Sequence, residues 1–128
     1  MTFVLLSVGQ VMEIHDYVLS DNELQGLAGE YLDSVLARVE NRLSYGLIED
    51  VFDLATSYAA AISQAHCFYD GNKRTAFQVM DLVLDLNGVQ VTWDAESVCQ
   101  KIILLAQSKL DELAFADWIR RGADVNSG

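Results

Sequence analysis

The sequence predicts an all-α bundle of about six helices, on three observations. Apolar residues recur at steps of three and four along most of the chain, which places them on one face of successive helices. Proline is absent and no stretch is repetitive or rich in Gly and Ser, so nothing reads as a linker. At 128 residues with 52% apolar side chains, the chain carries enough material for one core. The expected organisation is a single helical domain over residues 1–123 with a frayed tail at 124–128.

Each element has a local reason. Ser7 is suited to cap a first helix whose Val8, Val11, Met12 and Tyr17-Val18 share a face, ending before Ser20-Asp21-Asn22. A polar stretch follows through Gly29. From about Glu30, Leu32, Val35, Leu36, Val39 and Leu43 form a second apolar stripe, which Arg42-Leu43-Ser44-Tyr45-Gly46 breaks. Ile48, Val51, Phe52, Ala55, Ala59, Ile62 and Ala65 repeat the spacing in a third helix ending near His66, with Thr56, Ser57, Ser63 and Gln64 off the stripe. Lys73 to Asn87 is apolar around nearly its whole circumference, so this segment is the expected central, buried helix. Gly88 offers the left-handed position after a helix end, and Val89-Gln90-Val91-Thr92-Trp93 alternates briefly as extended chain does. Asp94 caps a fifth helix with Val98, Ile102, Leu105 and Ala106; Phe115, Trp118 and Ile119 mark a sixth that stops at Gly122.

Composition excludes several classes of function. Eight Lys and Arg against 19 Asp and Glu give a net charge of −11, with a pI near 4.3. A surface of that sign gives no support for direct DNA or RNA binding. No 18-residue run is free of charge and the opening residues lack a basic start, so neither a membrane span nor a signal peptide is expected, and the reading is cytoplasmic. Cys67 and Cys99 fit no zinc spacing and are expected as reduced thiols.

Against this acidic background one segment stands out. Residues 1–64 carry two basic side chains and ten acidic ones, and no Lys or Arg lies between Arg42 and Lys73. Lys73-Arg74 then follows Asp70-Gly71-Asn72 at the start of the fourth helix, where backbone N–H groups and the helix dipole add to two side-chain cations. Phosphate is the natural anion for such a cradle. Gly71 allows close backbone approach, and Asn72 can cap the helix or bond an oxygen. Asp70 is the single hard carboxylate that Mg²⁺ requires when it is held chiefly by nucleotide phosphates. His66, four residues earlier, is a candidate base. Cys67 beside it is no candidate nucleophile, because neighbours at a helix end point in different directions. His15 reads as a surface or core-edge residue, Trp93 and Trp118 as core, and Glu49-Asp50 and Asp111-Glu112 as solvated helix-start charges.

The string His66-Cys67-Phe68-Tyr69-Asp70-Gly71-Asn72-Lys73-Arg74-Thr75-Ala76 resembles the signature of the Fic/Doc family, in particular the death-on-curing (Doc) branch with its H-x-F-x-[DN]-[AG]-N-K-[RK] pattern. Leu32-Asp33-Ser34-Val35-Leu36-Ala37-Arg38 is similar to the branch's L-[ED]-S-A-L-A-R stretch, and Leu86-Asn87-Gly88 to its L-N-G helix end. The resemblance covers roughly residues 7–92. It implies an all-helical bundle, with His66 as the base that deprotonates a protein hydroxyl, Asp70 as the Mg²⁺ ligand, and Gly71, Asn72, Lys73 and Arg74 holding ATP phosphates. Phe68 would anchor the loop in the core.

Adenylylating relatives read H-P-F-x-x-G-N-G-R-x-x-R, whereas this chain has Cys67 for Pro, Lys73 for the second Gly and Phe77 for the final Arg. In the Doc branch these replacements accompany a reversed ATP that presents its γ-phosphate. The resemblance therefore implies a protein Ser/Thr kinase, with adenylyl transfer and a catalytically inactive binding module as the alternatives. It further implies a toxin held by a Phd-like antitoxin, a target of the elongation-factor Tu type, and a target-positioning flap that falls near Arg42 to Gly46. Thr92 to Ser97 and Ser108 to Leu113 match the inhibitory S/T-x-x-x-E-G/N pattern only without its last residue, and both read as coincidences.

Overall fold

The computed structural model describes residues 2–23, 31–68 and 70–124, and among them the chain is all-α. The helices are α1 (Val8–Val18), α2 (Leu32–Ser44), α3 (Val51–Ala65), α4 (Asn72–Leu86), α5 (Ala95–Ala106) and α6 (Glu112–Gly122). Two short strands, β1 (Gln90–Val91) and β2 (Ala123–Asp124), pair antiparallel. The expected polar stretch through Gly29 and the start of the second helix near Glu30 fall largely on 24–30, outside the described residues.

The helix ends follow from local chemistry. Ser7 accepts a bond from the Gln10 N–H at 3.2 Å while the Gln10 side chain accepts from the Ser7 N–H at 2.8 Å, a reciprocal cap. Asp50 and Asp94 cap α3 and α5 through the N–H groups of Asp53 and Ser97. Gly88, at φ 84, closes α4 as expected: its N–H bonds the Asp85 carbonyl at 3.0 Å and Val89 N–H bonds Leu84 at 2.9 Å.

The deepest helix is α3, not the segment 73–87 that the apolar run singles out. Twelve of its fifteen residues are buried, while α4 buries Thr75, Ala76, Val79, Met80, Val83 and Leu84 and exposes Lys73, Arg74, Asp85 and Leu86. Side-chain size is the reason. Thr56, Ser57, Ala60, Ala61 and Ser63 are small enough for neighbouring helices to close on every side of α3, so its off-stripe positions are enclosed rather than solvated. Tyr58 is buried with its hydroxyl accepting from the Leu6 N–H at 3.1 Å, which ties the N-terminal segment to this central helix.

Long-range pairs fix the periphery. Arg42 of α2 makes a two-pronged ion pair with Glu112 of α6, and Arg120 of α6 reaches Asp50 and Asp53 at the start of α3. The charges at positions 50 and 112 therefore join helices and are not merely solvated. Trp93 and Trp118 are half-buried against the core rather than within it, Trp93 donating to Asp81 at 2.8 Å. Asp124, placed in the frayed tail by the sequence reading, pairs with Gln90 in the ladder; residues 125–128 lie outside the described residues. No helix among the described residues is long and apolar enough to cross a membrane.

Candidate active site

The loop between α3 and α4 is built by a left-handed turn at each end. His66 terminates α3 at φ 51, ψ 45, and Gly71 starts α4 at φ 79, ψ 15. Between them Cys67 and Phe68 are buried, so the loop is pinned at its middle while its ends face outward. The Asn72 side chain closes it: Oδ1 accepts from the Phe68 N–H at 3.1 Å and Nδ2 donates to the Phe68 carbonyl at 2.9 Å. That corrects one expectation, since Asn72 is the first helical residue rather than the cap, and its amide serves the loop. Its backbone N–H still lies, with those of Lys73 and Arg74, ahead of the first intrahelical bond from Thr75 N–H to the Gly71 carbonyl at 2.9 Å.

The geometry at Gly71 admits no other residue easily. A Cβ there would lie 3.3 Å from Leu19 Cδ2 and 3.7 Å from both His15 Cδ2 and Val18 Cγ2, at a positive φ that side chains rarely adopt. The end of α1 is thus the seat of the loop. His15, expected at the surface or core edge, is 1% exposed. Its place on the buried stripe, four residues after Val11 and three before Val18, was the sequence signal that could have found it.

His66, Asp70, Gly71, Asn72, Lys73 and Arg74, all the site residues expected from the sequence, line one open pocket of about 380 Å³. His66, Lys73 and Arg74 are exposed, and Asp70 is half-buried. Lys73 forms no ion pair among the described residues. Arg74 is engaged: it donates to the Val18 carbonyl at 2.8 Å and pairs with Glu23, so a phosphate drawn to it must share it with that carboxylate. Sequence reasoning missed Glu23 because the contact spans 51 positions. Beside the polar pocket, and sharing Lys73 and Arg74 with it, opens an apolar one of about 450 Å³ walled by Phe77, Trp93, Val98 and Ile102.

The Arg74 hydrogen bond holds the Glu23 carboxyl at about 2, well below the usual carboxylate range. A lowered carboxylate favours the folded state above its unfolded value of 4.5 and loses that contribution as pH falls towards 2. NMR titration of Glu23 is expected to show a midpoint near 2 that returns towards 4.5 in Arg74→Ala; an ordinary midpoint in the unsubstituted protein would contradict the pairing. For Cys67, burial pushes the thiol up, which opposes the thiolate a nucleophile needs.

The sequence position of the expected flap is not matched in space. Arg42 to Gly46 leads into the start of α3, whereas the motif leaves its other end, and a fifteen-residue helix is about 22 Å long. Arg42 is moreover committed to Glu112. The segment 42–46 is therefore remote from the pocket.

Comparison with known proteins agrees with the geometry. The sequence profile of the Fic/DOC family matches residues 5–84. Over 120 residues the chain is 31% identical to the protein kinase doc of Escherichia phage P1, covering 91% of this chain and 93% of that one. With the preceding helices, the motif loop and all but the last two residues of its helix inside the profile match, the chain belongs to the Fic/Doc family, on its Doc branch.

Proposed function

We propose that this chain is a Doc-type toxin kinase that transfers the γ-phosphate of ATP to a Ser or Thr hydroxyl of a target protein. The observation that carries the reading is the single pocket at the start of α4 into which His66, Asp70 and Lys73 all open. His66 takes the hydroxyl proton, the hydroxyl oxygen forms a bond to the γ-phosphorus, and the bond from that phosphorus to the β-bridging oxygen breaks, releasing ADP. The N–H groups at positions 72–74 and the Lys73 ammonium stabilise charge on the phosphate oxygens. Arg74 adds a guanidinium that α1 orients through the Val18 carbonyl.

Asp70 fits a Mg²⁺ held through nucleotide phosphates, because among the described residues it is the only carboxylate lining this pocket and such an ion takes just one or two from the protein. Bound there, the ion neutralises phosphate charge. The neighbouring apolar pocket takes the adenine against the wall that Phe77 and Trp93 form together, two rings packed edge to face with centroids 5.5 Å apart. Phe77, in the place of an arginine of the adenylylating pattern, makes that pocket suited to a base rather than a phosphate. A Phd-like antitoxin and a cytoplasmic setting belong to the same reading.

The test is incubation of the purified protein and bacterial lysate with Mg²⁺-ATP labelled separately at the α and γ phosphates. Transfer of the γ label alone to a protein band is expected. Transfer of the α label identifies adenylylation, and no transfer of either label leaves a binding module; both overturn the reading.

A further inference from the structure

The motif loop rests on α1 through one buried imidazole. His15 Nε2 lies 2.8 Å from the Asp70 carbonyl oxygen, and because a carbonyl only accepts, Nε2 carries the proton and donates. The same ring stacks on Phe68, centroids 3.7 Å apart and planes 10° from parallel. His15 thus contacts the loop at its apolar anchor and at the residue before the left-handed Gly71. Its Nδ1 faces the Asp16 carboxylate at 3.8 Å, the charged group of its own helix nearest to it.

We infer that His15 is a positioning residue for phosphoryl transfer: its Nε2–H fixes the Asp70–Gly71 peptide, and thereby the direction of the Asp70 side chain and of the N–H groups at 72–74. The peptide has two sides to satisfy. Asn72 holds the loop at Phe68 from within, and His15 bonds the Asp70 carbonyl from α1. Stacking alone would keep Phe68 in place without defining the rotation of the 70–71 peptide. A ring at position 15 that lacks a donor preserves the packing and removes this bond from the half-buried carbonyl, which loosens the hold of α1 on the 70–71 peptide. His15 touches neither ATP nor the target hydroxyl, so it acts through Asp70 and the helix start.

This inference rests on the kinase reading, and its test separates the two. His15→Phe keeps an aromatic ring against Phe68 and removes the donor; His15→Gln places an amide N–H near the position of Nε2. In His15→Phe, γ-phosphate transfer at saturating ATP is expected to fall at least 10-fold with melting cooperativity and helical circular dichroism retained, and His15→Gln is expected to recover most of the loss. Independently of activity, the Gly71 amide resonance is expected to shift and to exchange with solvent faster in His15→Phe than in His15→Gln. Wild-type transfer and an unmoved Gly71 amide in a folded His15→Phe overturn the positioning role. Equal loss in a folded His15→Gln also overturns it, because shape rather than the donor would then be at work. If the unsubstituted protein transfers no phosphate, the kinase reading has failed, and the Gly71 resonance alone decides whether His15 orders the loop.

Discussion

Replacing His66 by Asn is expected to leave a folded protein that has lost about 10³-fold of its γ-phosphate transfer. The general-base step of such a reaction contributes on the order of 10²–10⁴-fold, and an amide cannot take the proton. The choice of Asn follows from the backbone. His66 sits at φ 51, ψ 45, where Asn is tolerated while Ala carries roughly 1–2 kcal/mol of strain. Its side chain is exposed, so no core contact is removed. Transfer of γ label to the target and helical circular dichroism, measured side by side, check both halves; wild-type transfer by a folded His66→Asn protein sinks the assignment of the base.

The contrast between what could and could not be read in advance has a physical basis. Helix positions and caps are local: Ser7, Asp50 and Asp94 each bond a group three residues away, and Gly88 closes a turn within its own neighbourhood. The motif was legible for the same reason, since His66 to Arg74 span nine positions and line one pocket, although the helix that seats this loop, α1, lies far away in sequence. What the sequence left hidden is contact between remote segments. The β1–β2 ladder joins residues 32 and 34 positions apart; the alternation at 89–93 marks β1 as extended chain, but nothing local marks β2 as its partner. Glu23 reaches Arg74 and His15 reaches Asp70 only because α1 lies along α4. The apolar run alone ranks α4 above α3 in depth, because hydropathy grades chemical type, while burial of Thr56, Ser57 and Ser63 depends on how little room they take.

That distinction between charge and room returns at Lys73, where Lys73→Gly is expected to lower γ-phosphate transfer about 10²-fold and to let the α label appear on the target. The residue is exposed, at the second position of α4, and lies on the rim shared by the polar and apolar pockets. In the proposed reading its ammonium faces the phosphates, and losing one preorganised donor to developing charge costs on the order of 10²–10³-fold. Its side chain also occupies space over the helix start. Glycine opens that space, so a phosphate can approach the N–H groups directly, as the G-N-G of the adenylylating pattern allows. A glycine in the first turn costs at most about 1 kcal/mol, so folding is preserved. Lys73→Met separates the two effects, because it removes the charge but keeps a side chain of similar length. If α-label transfer appears in the glycine variant alone, side-chain bulk sets the direction in which ATP lies; if it appears in both, the charge does. Unchanged γ transfer in both variants, with no α label in either, would show that ATP is oriented elsewhere, and the apolar wall at Phe77 is then the next element to alter.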